Sequence, residues 1–279
     1  IELFMNDNLF KKISKKLSKI LDLERIKRKI TLLKLNPHEW SGFDISLQNS
    51  KDIFEILKYN NDILKINEII NYYNSIIDID SACKYNILEI KSSIFKKGLY
   101  ENVDELDELQ SNLIIKINNI VSDIINIGKN NNIDTFCKLE YTDREGYHIQ
   151  ITKKRFQNLQ STYYNNEINI ISQQQGYIKI NTTDLNNYSK RLNDTISELS
   201  QLSLNYYKDF MSNFIQKFNN IYDDIINVIA DIDITCCNAS NSYEYRYYRP
   251  TFTDKNSGFI NAKSIRHPII ERINKNKEY

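Results

Sequence analysis

The sequence predicts a mainly α fold of long helices, with a small β-containing segment inserted between the two longest and a β segment at the C-terminal end. Three observations predict it. The 279 residues hold only 6 glycines and 3 prolines, few breaks for so long a chain. Apolar residues recur at intervals of three and four along most of its length. That period gives way to alternation in an internal stretch, 135 to 154, and again in the run from 245 to 273.

The elements follow in order. Residues 8 to 34 place Leu9, Ile13, Leu17, Ile20, Ile26, Ile30 and Leu33 on one stripe, predicting an amphipathic helix. "NPHEW" restarts the chain, with Asn36 as an N-cap and Pro37 at a first helical position where its missing N–H costs nothing. Further helices are predicted near 46–58, 61–76 and 82–96, ending at Lys97-Gly98. Asn102, with Glu105 three residues on, opens a helix whose apolar positions run from Leu106 to Ile127 at spacings of 3, 4, 4, 3, 4 and 3. Gly128 closes it. From Thr183 a second stripe runs through Leu192, Leu199, Phe210, Phe218 and Ile225 to Ile232, about 75 Å if unbroken. Such a rod packs lengthwise against a partner helix. Between the two, "TFCKLEYTDREGYHIQITKK" alternates around the turn chemistry of Asp143 to Gly146, and "INIISQQQGYIKI" supplies a second strand pair.

Bulk charge excludes little and promises little. With 37 basic and 36 acidic residues the net charge is +1, so any nucleic-acid footprint must be local. Cys83, Cys137, Cys236 and Cys237 form no C-x-x-C pair, which argues against a zinc site or a disulfide framework and for a reduced, intracellular protein. No apolar run approaches the roughly 20 residues of a membrane span, and no membrane partner is expected. The N-terminus has no signal-peptide pattern. The chain opens on Ile1 rather than Met, so it is expected to be cut at its front as well as its back.

Four segments, in order, resemble the MutS family of DNA mismatch repair ATPases. "ILDLERIKRKI" (20–30), followed by "LNP", is similar to the start of that family's core or lever domain. "ELDELQ" (105–110) resembles the way into its clamp domain, and "EGYHIQIT" (145–152) a clamp strand. "YYRPTF…INAKSIRHPIIE" (247–271) resembles the first strands of its ATPase domain. Each motif is weak alone; four in the right order over some 250 residues are specific. The resemblance implies a lever bundle with a clamp tip and the β start of a truncated ATPase domain. The implied bounds are 1–103 for the first part of the lever and 104–190 for the clamp, with its β tip at about 135–181. They continue as 191–240 for the returning lever helix and 241–279 for the ATPase start. It further implies double-stranded DNA held by its phosphates, a homodimer or heterodimer, and ATP and Mg in the full-length parent. No G-x-x-x-x-G-K-[ST] loop and no Phe-x-Glu mismatch-reading segment occurs in the chain, so no catalytic residue, cofactor or metal is expected in this piece.

Within that resemblance the DNA-contact candidates are Lys138, Arg144, His148, Lys153, Lys154 and Arg155. Flexible cations on a hairpin meet phosphate whatever the base sequence. By charge alone residues 138–155 are an ordinary solvated hairpin, five Lys or Arg against Glu140, Asp143 and Glu145. Residues 10–34 are more basic, ten Lys or Arg against Asp22 and Glu24. The resemblance puts that stretch in the lever, where a solvated face or an acid-lined interface is expected, with Asp22, Glu24 and Arg25 in i,i+3-type pairs. Arg266, His267 and Pro268 read as structural at a strand start. Tyr243, Tyr245, Tyr247 and Tyr248 read as the packing face of a strand. The competing reading is a helical coiled-coil scaffold for protein partners, which explains the helices but neither "GYHIQIT" nor "RHPIIE".

Overall fold

The computed structural model describes residues 1–129, 137–142, 145–162, 168–252, 254 and 258–273. They fall into two units, Ile1–Ser240 and Asn241–Tyr279. The fold is mainly α with one small antiparallel sheet.

The first unit opens with helices α1 (Glu2–Met5), α2 (Leu9–Leu17) and α3 (Leu23–Thr31). The single helix expected over 8–34 is therefore two. Asp22 adopts an extended backbone and its side chain accepts from the Arg25 N–H at 2.8 Å, an N-cap rather than a member of a side-chain pair. The Leu21 N–H, freed by the break, donates to Ser46 Oγ at 3.0 Å. In α4 (Glu39–Leu57) the start lies two residues past Pro37. Asn36 still anchors it, because the Glu39 carboxylate accepts from both Asn36 N (2.9 Å) and Asn36 Nδ2 (3.1 Å).

After α5 (Asn60–Ile76) and the short α6 (Ile79–Ala82), the helix expected over 82–96 does not form. Asp78 N donates to the Ile94 carbonyl and Lys96 N to that of Ile76, each at 2.9 Å, and Ile77 bridges Phe95. Ile90, Ile94 and Phe95 are buried. The three-to-four spacing is met there by an irregular segment, because burial into the core outweighs intrinsic propensity.

Helix α7 (Glu101–Lys129) leads to strands β1 (Cys137–Thr142) and β2 (Gly146–Thr152), helix α8 (Lys153–Thr162), and strands β3 (Ile168–Gln173) and β4 (Tyr177–Thr182). Asn102 lies inside α7 rather than capping it; the Tyr100 carbonyl accepts the first N–H groups. Helix α9 (Thr183–Tyr245) is then 63 residues long, about 95 Å at 1.5 Å per residue. It runs antiparallel to α7: Asn102 Nδ2 donates to Tyr206 Oη at 3.0 Å, and Lys116 Nζ stands 5.5 Å over the Tyr188 ring.

These two helices carry two separate apolar cores. The body core takes Val103 from α7 and, from α9, buried positions from Leu199 to Ala239, packed against α1 to α6. The tip core takes Leu113, Ile117, Val121 and Ile124 from α7, Leu185 and Leu192 from α9, and Ile149, Ile151, Ile178 and Ile180 from the sheet. The change of core falls beyond Leu106 on α7 and between Ile196 and Leu199 on α9.

Among the described residues of the second unit, the only helix beyond the end of α9 is α10 (Pro268–Ile273). The strand, turn and strand expected over 245–273 are absent among those residues. Strands without a sheet to join are marginal, and two of the large apolar side chains here stand open to solvent: Phe252 is 89 % exposed and Ile260 92 %.

Candidate nucleic-acid interface

The tip sheet has the order β1-β2-β4-β3, antiparallel throughout. Its register sorts side chains into rows. Leu139, Ile149 and Ile180 form one row and Cys137, Ile151 and Ile178 another, both toward the tip core. The intervening rows therefore face the other way. One is Lys138, Gln150 and Lys179. The next pairs Glu140 with His148, and the register brings Asn181 opposite His148.

Gly146 fixes this hairpin to α9. Its φ is +68°, and a Cβ there would stand 2.6 Å from Ser189 Oγ, so both backbone and space call for glycine. The Tyr147 N–H donates to the same Ser189 oxygen at 3.0 Å.

The predicted cations divide by environment. Lys138 is well exposed on β1, with its ammonium 3.1 Å from Glu140 Oε1. Arg155 and Lys138 line one cleft of about 510 Å³ with Cys137, Gln150, Thr152 and Tyr177. Lys153 and Lys154 are exposed on the first turn of α8. Cations at a helix N-terminus meet the positive pole of its dipole, so three in succession are best relieved by an anion. His148 is fully buried, with Nδ1 3.0 Å from the Gly146 carbonyl. Arg144 lies outside the described residues. Burial pushes the Cys137 thiol up to about 11, against the pull of nearby Arg155.

The sequence reading missed Lys179, whose Nζ is 2.8 Å from Glu145 Oε2. The strand parity of "GYIKI" was enough to place it on the polar face. Nothing in the sequence marks Ser189 as the hairpin's anchor.

The basic stretch at 10–34 is partly engaged by acids. Lys16 pairs with Asp52 and Lys27 with Asp223, each at 2.5 Å, and Lys29 pairs with Glu39. In the second unit Arg266 donates to the Tyr245 and Arg246 carbonyls at 2.9 and 3.0 Å, satisfying the end of α9, and pairs with Glu271 at 2.7 Å. His267 is exposed and its Nδ1 accepts from Ile270 N at 3.4 Å, so it caps a helix rather than starting a strand. Tyr243 and Tyr245 belong to α9, and Arg272 lies 4.0 Å over the Tyr245 ring; the expected strand face is not built. Among the described residues no His, Cys, Asp and Glu cluster is arranged to hold a metal, and no helix is long and apolar enough to cross a membrane.

No family model matches the chain. A DNA mismatch repair mutS homolog of Acanthamoeba polyphaga mimivirus is 26 % identical over 98 % of this chain and 27 % of its own length. The DNA mismatch repair protein MutS of Ehrlichia ruminantium (strain Gardel) is 23 % identical over 99 % of this chain and 33 % of its own, and that of Solibacter usitatus 25 % over 94 % and 29 %. These matches support the MutS family. The chain spans about a third or less of the length of these MutS relatives. Three of the segments that resembled MutS lie in regular elements here, and the fourth does not form its expected strands among the described residues. Asp22 of "ILDLERIKRKI" caps α3 while Leu23, Ile26 and Ile30 are buried. "ELDELQ" lies on α7, "EGYHIQIT" forms the anchored turn and β2, and Arg266 of "RHPIIE" closes α9.

Proposed function

We propose that this chain is the lever and clamp region of a MutS-like mismatch repair protein that grips duplex DNA through its phosphates. The carrying observation is the division of one antiparallel helix pair between two cores, with a cationic cleft at the far core. A helix pair packed at one end into a body and at the other into a sheet transmits displacement between them. Lys138, Lys153, Lys154 and Arg155 are the contacts, with Arg144 beside them in sequence. Flexible cations meet phosphate whatever the base sequence, so the grip is blind to sequence and allows sliding.

The proposed bounds are 1–103 and 191–240 for the lever, 104–190 for the clamp, and 241–279 for the start of an ATPase domain. In the whole protein, ATP and Mg act beyond this chain, and a second subunit, identical or related, supplies the other clamp. The mutS names of the relatives and their near-complete coverage of this chain support that reading.

The test is duplex binding by the 279-residue chain, followed by fluorescence anisotropy across salt. Binding should be weak, equal for AT-rich and GC-rich duplexes, and should fall linearly in log–log form with added salt. Lys153→Glu with Lys154→Glu should flatten that slope by about 0.9 for each phosphate no longer neutralised. A flat salt response in the unaltered chain favours the coiled-coil scaffold instead.

A further inference from the structure

Beneath the outer face of the tip sheet lies a buried group that phosphate contact does not use. His148 Nδ1 faces the Gly146 carbonyl at 3.0 Å. A carbonyl only accepts, so Nδ1 carries a proton. In the neutral ring Nε2 is then a bare lone pair. It is buried, has no hydrogen-bond partner among the described residues, and stands 4.0 Å from Oε2 of both Glu140 and Glu145. Directly across on β4, the Asn181 Oδ1 is also buried and unpartnered among them. Two carboxylate oxygens therefore stand near Nε2, and no described donor reaches it.

The charged groups around the ring are Glu140 of β1 with its partner Lys138, Glu145 of the turn, and Lys179 of β4 on Glu145. Among the described residues these are two ammonium groups and two carboxylates. A proton on Nε2 changes both the balance and the geometry. The ring becomes a donor to the carboxylates on either side and competes with Lys138 and Lys179 for them.

We propose that His148 is a proton-operated latch for the phosphate grip: protonated, it draws Glu140 and Glu145 inward and frees the ammonium of Lys138, in the cleft it lines with Arg155, from its pair with Glu140. This rests on the clamp reading above and adds regulation to the same site. The step moves one proton from solvent to Nε2 and breaks no covalent bond.

The experiment measures duplex affinity of the whole 279-residue chain at fixed low salt between about pH 8 and 6, the range in which imidazole changes charge. One extra cation on the phosphates should tighten binding by up to about eightfold at 0.1 M salt. His148→Gln should remove that dependence. Equal tightening in both proteins overturns the latch. Should His148→Gln fail to fold, Glu140→Gln carries the test: it releases Lys138 permanently, so it should raise affinity at neutral pH and blunt the response to acid. An unchanged response overturns the proposal.

A second readout needs no DNA. The chain has 3 histidines, few enough to assign their ring nitrogens by NMR. The neutral ring of His148 should hold its proton on Nδ1 and gain the second on Nε2; a neutral ring protonated on Nε2 refutes the mechanism. Absence of duplex binding at every pH would instead refute the clamp reading, and the ring spectrum would still decide whether the latch exists.

Discussion

The core around Trp40 is aromatic and tied by hydroxyls, whereas the core under the tip sheet is almost wholly aliphatic. Trp40 has the rings of Phe43, Tyr73, Phe210 and Phe214 within 5.2 to 5.5 Å of its own. Tyr207 accepts from Trp40 Nε1 at 2.8 Å and donates to the Leu35 carbonyl at 2.9 Å, and Tyr222 donates to the Leu23 carbonyl at 2.9 Å. Burial drives both phenols far above the ordinary tyrosine range, so they stay neutral donors. In the tip, the buried apolar set among the described residues is Leu, Ile and Val with Phe156 as its one aromatic, and the directional ties to α9 are few, chiefly the bond to Ser189. Directional bonds fix how α9 is rotated in the body, while aliphatic packing lets the tip rearrange. The body should therefore open globally and the tip locally, at lower free energy.

The largest test of that contrast is Trp40→Ala, expected to cost about 3–5 kcal/mol of body stability. Ile180→Val, its tip counterpart, should cost about 1 kcal/mol. Alkylation followed by mass spectrometry reads the regions separately, because Cys137 belongs to the tip and Cys236 to the body. Cys137 should react before Cys236 in the unaltered chain, and Trp40→Ala should bring Cys236 level with it. If Cys236 reacts first from the outset, the ranking of the two regions is inverted.

Tyr207→Phe comes next. It keeps the ring but leaves the Trp40 N–H and the Leu35 carbonyl without their partner in a buried site, at about 1–3 kcal/mol. Thermal melts followed by Trp40 fluorescence measure it, since the chain has one tryptophan. A cost near zero would mean that ring packing alone holds the body.

Gly146→Ala is the tip's equivalent. The left-handed backbone costs an alanine about 1–2 kcal/mol, and its methyl would displace Ser189 Oγ. Adding Ser189→Gly should recover the steric part only. Hydrogen exchange confined to β1 and β2 is the expected signature; a loss shared with the body would show that the tip does not open by itself.

This contrast also marks what the sequence could tell. The tip's β2 and β4 were legible because alternation and a turn rich in Asp and Gly leave little choice, and α9 because its stripe never breaks. The break between α2 and α3 was hidden, since the apolar stripe continues through it and only the Asp22 cap, one of many polar residues there, ends the first helix. Residues 82–96 misled for the opposite reason: their spacing suits a helix, but Ile90, Ile94 and Phe95 serve a core drawn from distant helices. At the candidate interface, the exposed cations were readable from residue type. The burial of His148 was not, because it depends on neighbours such as Glu140 and Glu145, each 4.0 Å from the ring, that residue type alone does not place.

The smallest effect compares one titrating group in each region. In the body, burial pushes the Glu39 carboxyl up, but hydrogen bonds from Lys29 and Asn36 outweigh it and hold it below 4.5. A carboxyl depressed in the fold adds stability above its unfolded value, and that stability is lost as pH falls through the folded one. In the tip, the hydrogen bond to Glu145 raises Lys179 above 10.5. An amine raised in the fold adds stability below its unfolded value, lost as pH rises through the folded one. Acid should therefore weaken the body through Glu39 and alkali the tip through Lys179; the buried phenols of Tyr207 and Tyr222 give the body an alkaline limb of its own. Partly open to solvent, the Lys29–Glu39 pair is worth under about 1 kcal/mol, and Glu39→Gln should flatten the acid limb of Trp40-detected stability by that amount. Lys179→Met should act only on the alkaline limb of hydrogen exchange in β2 and β4. Were either substitution to alter the other region's limb, the two cores would be one cooperative unit, and α7 and α9 would join them too tightly for the tip to move by itself.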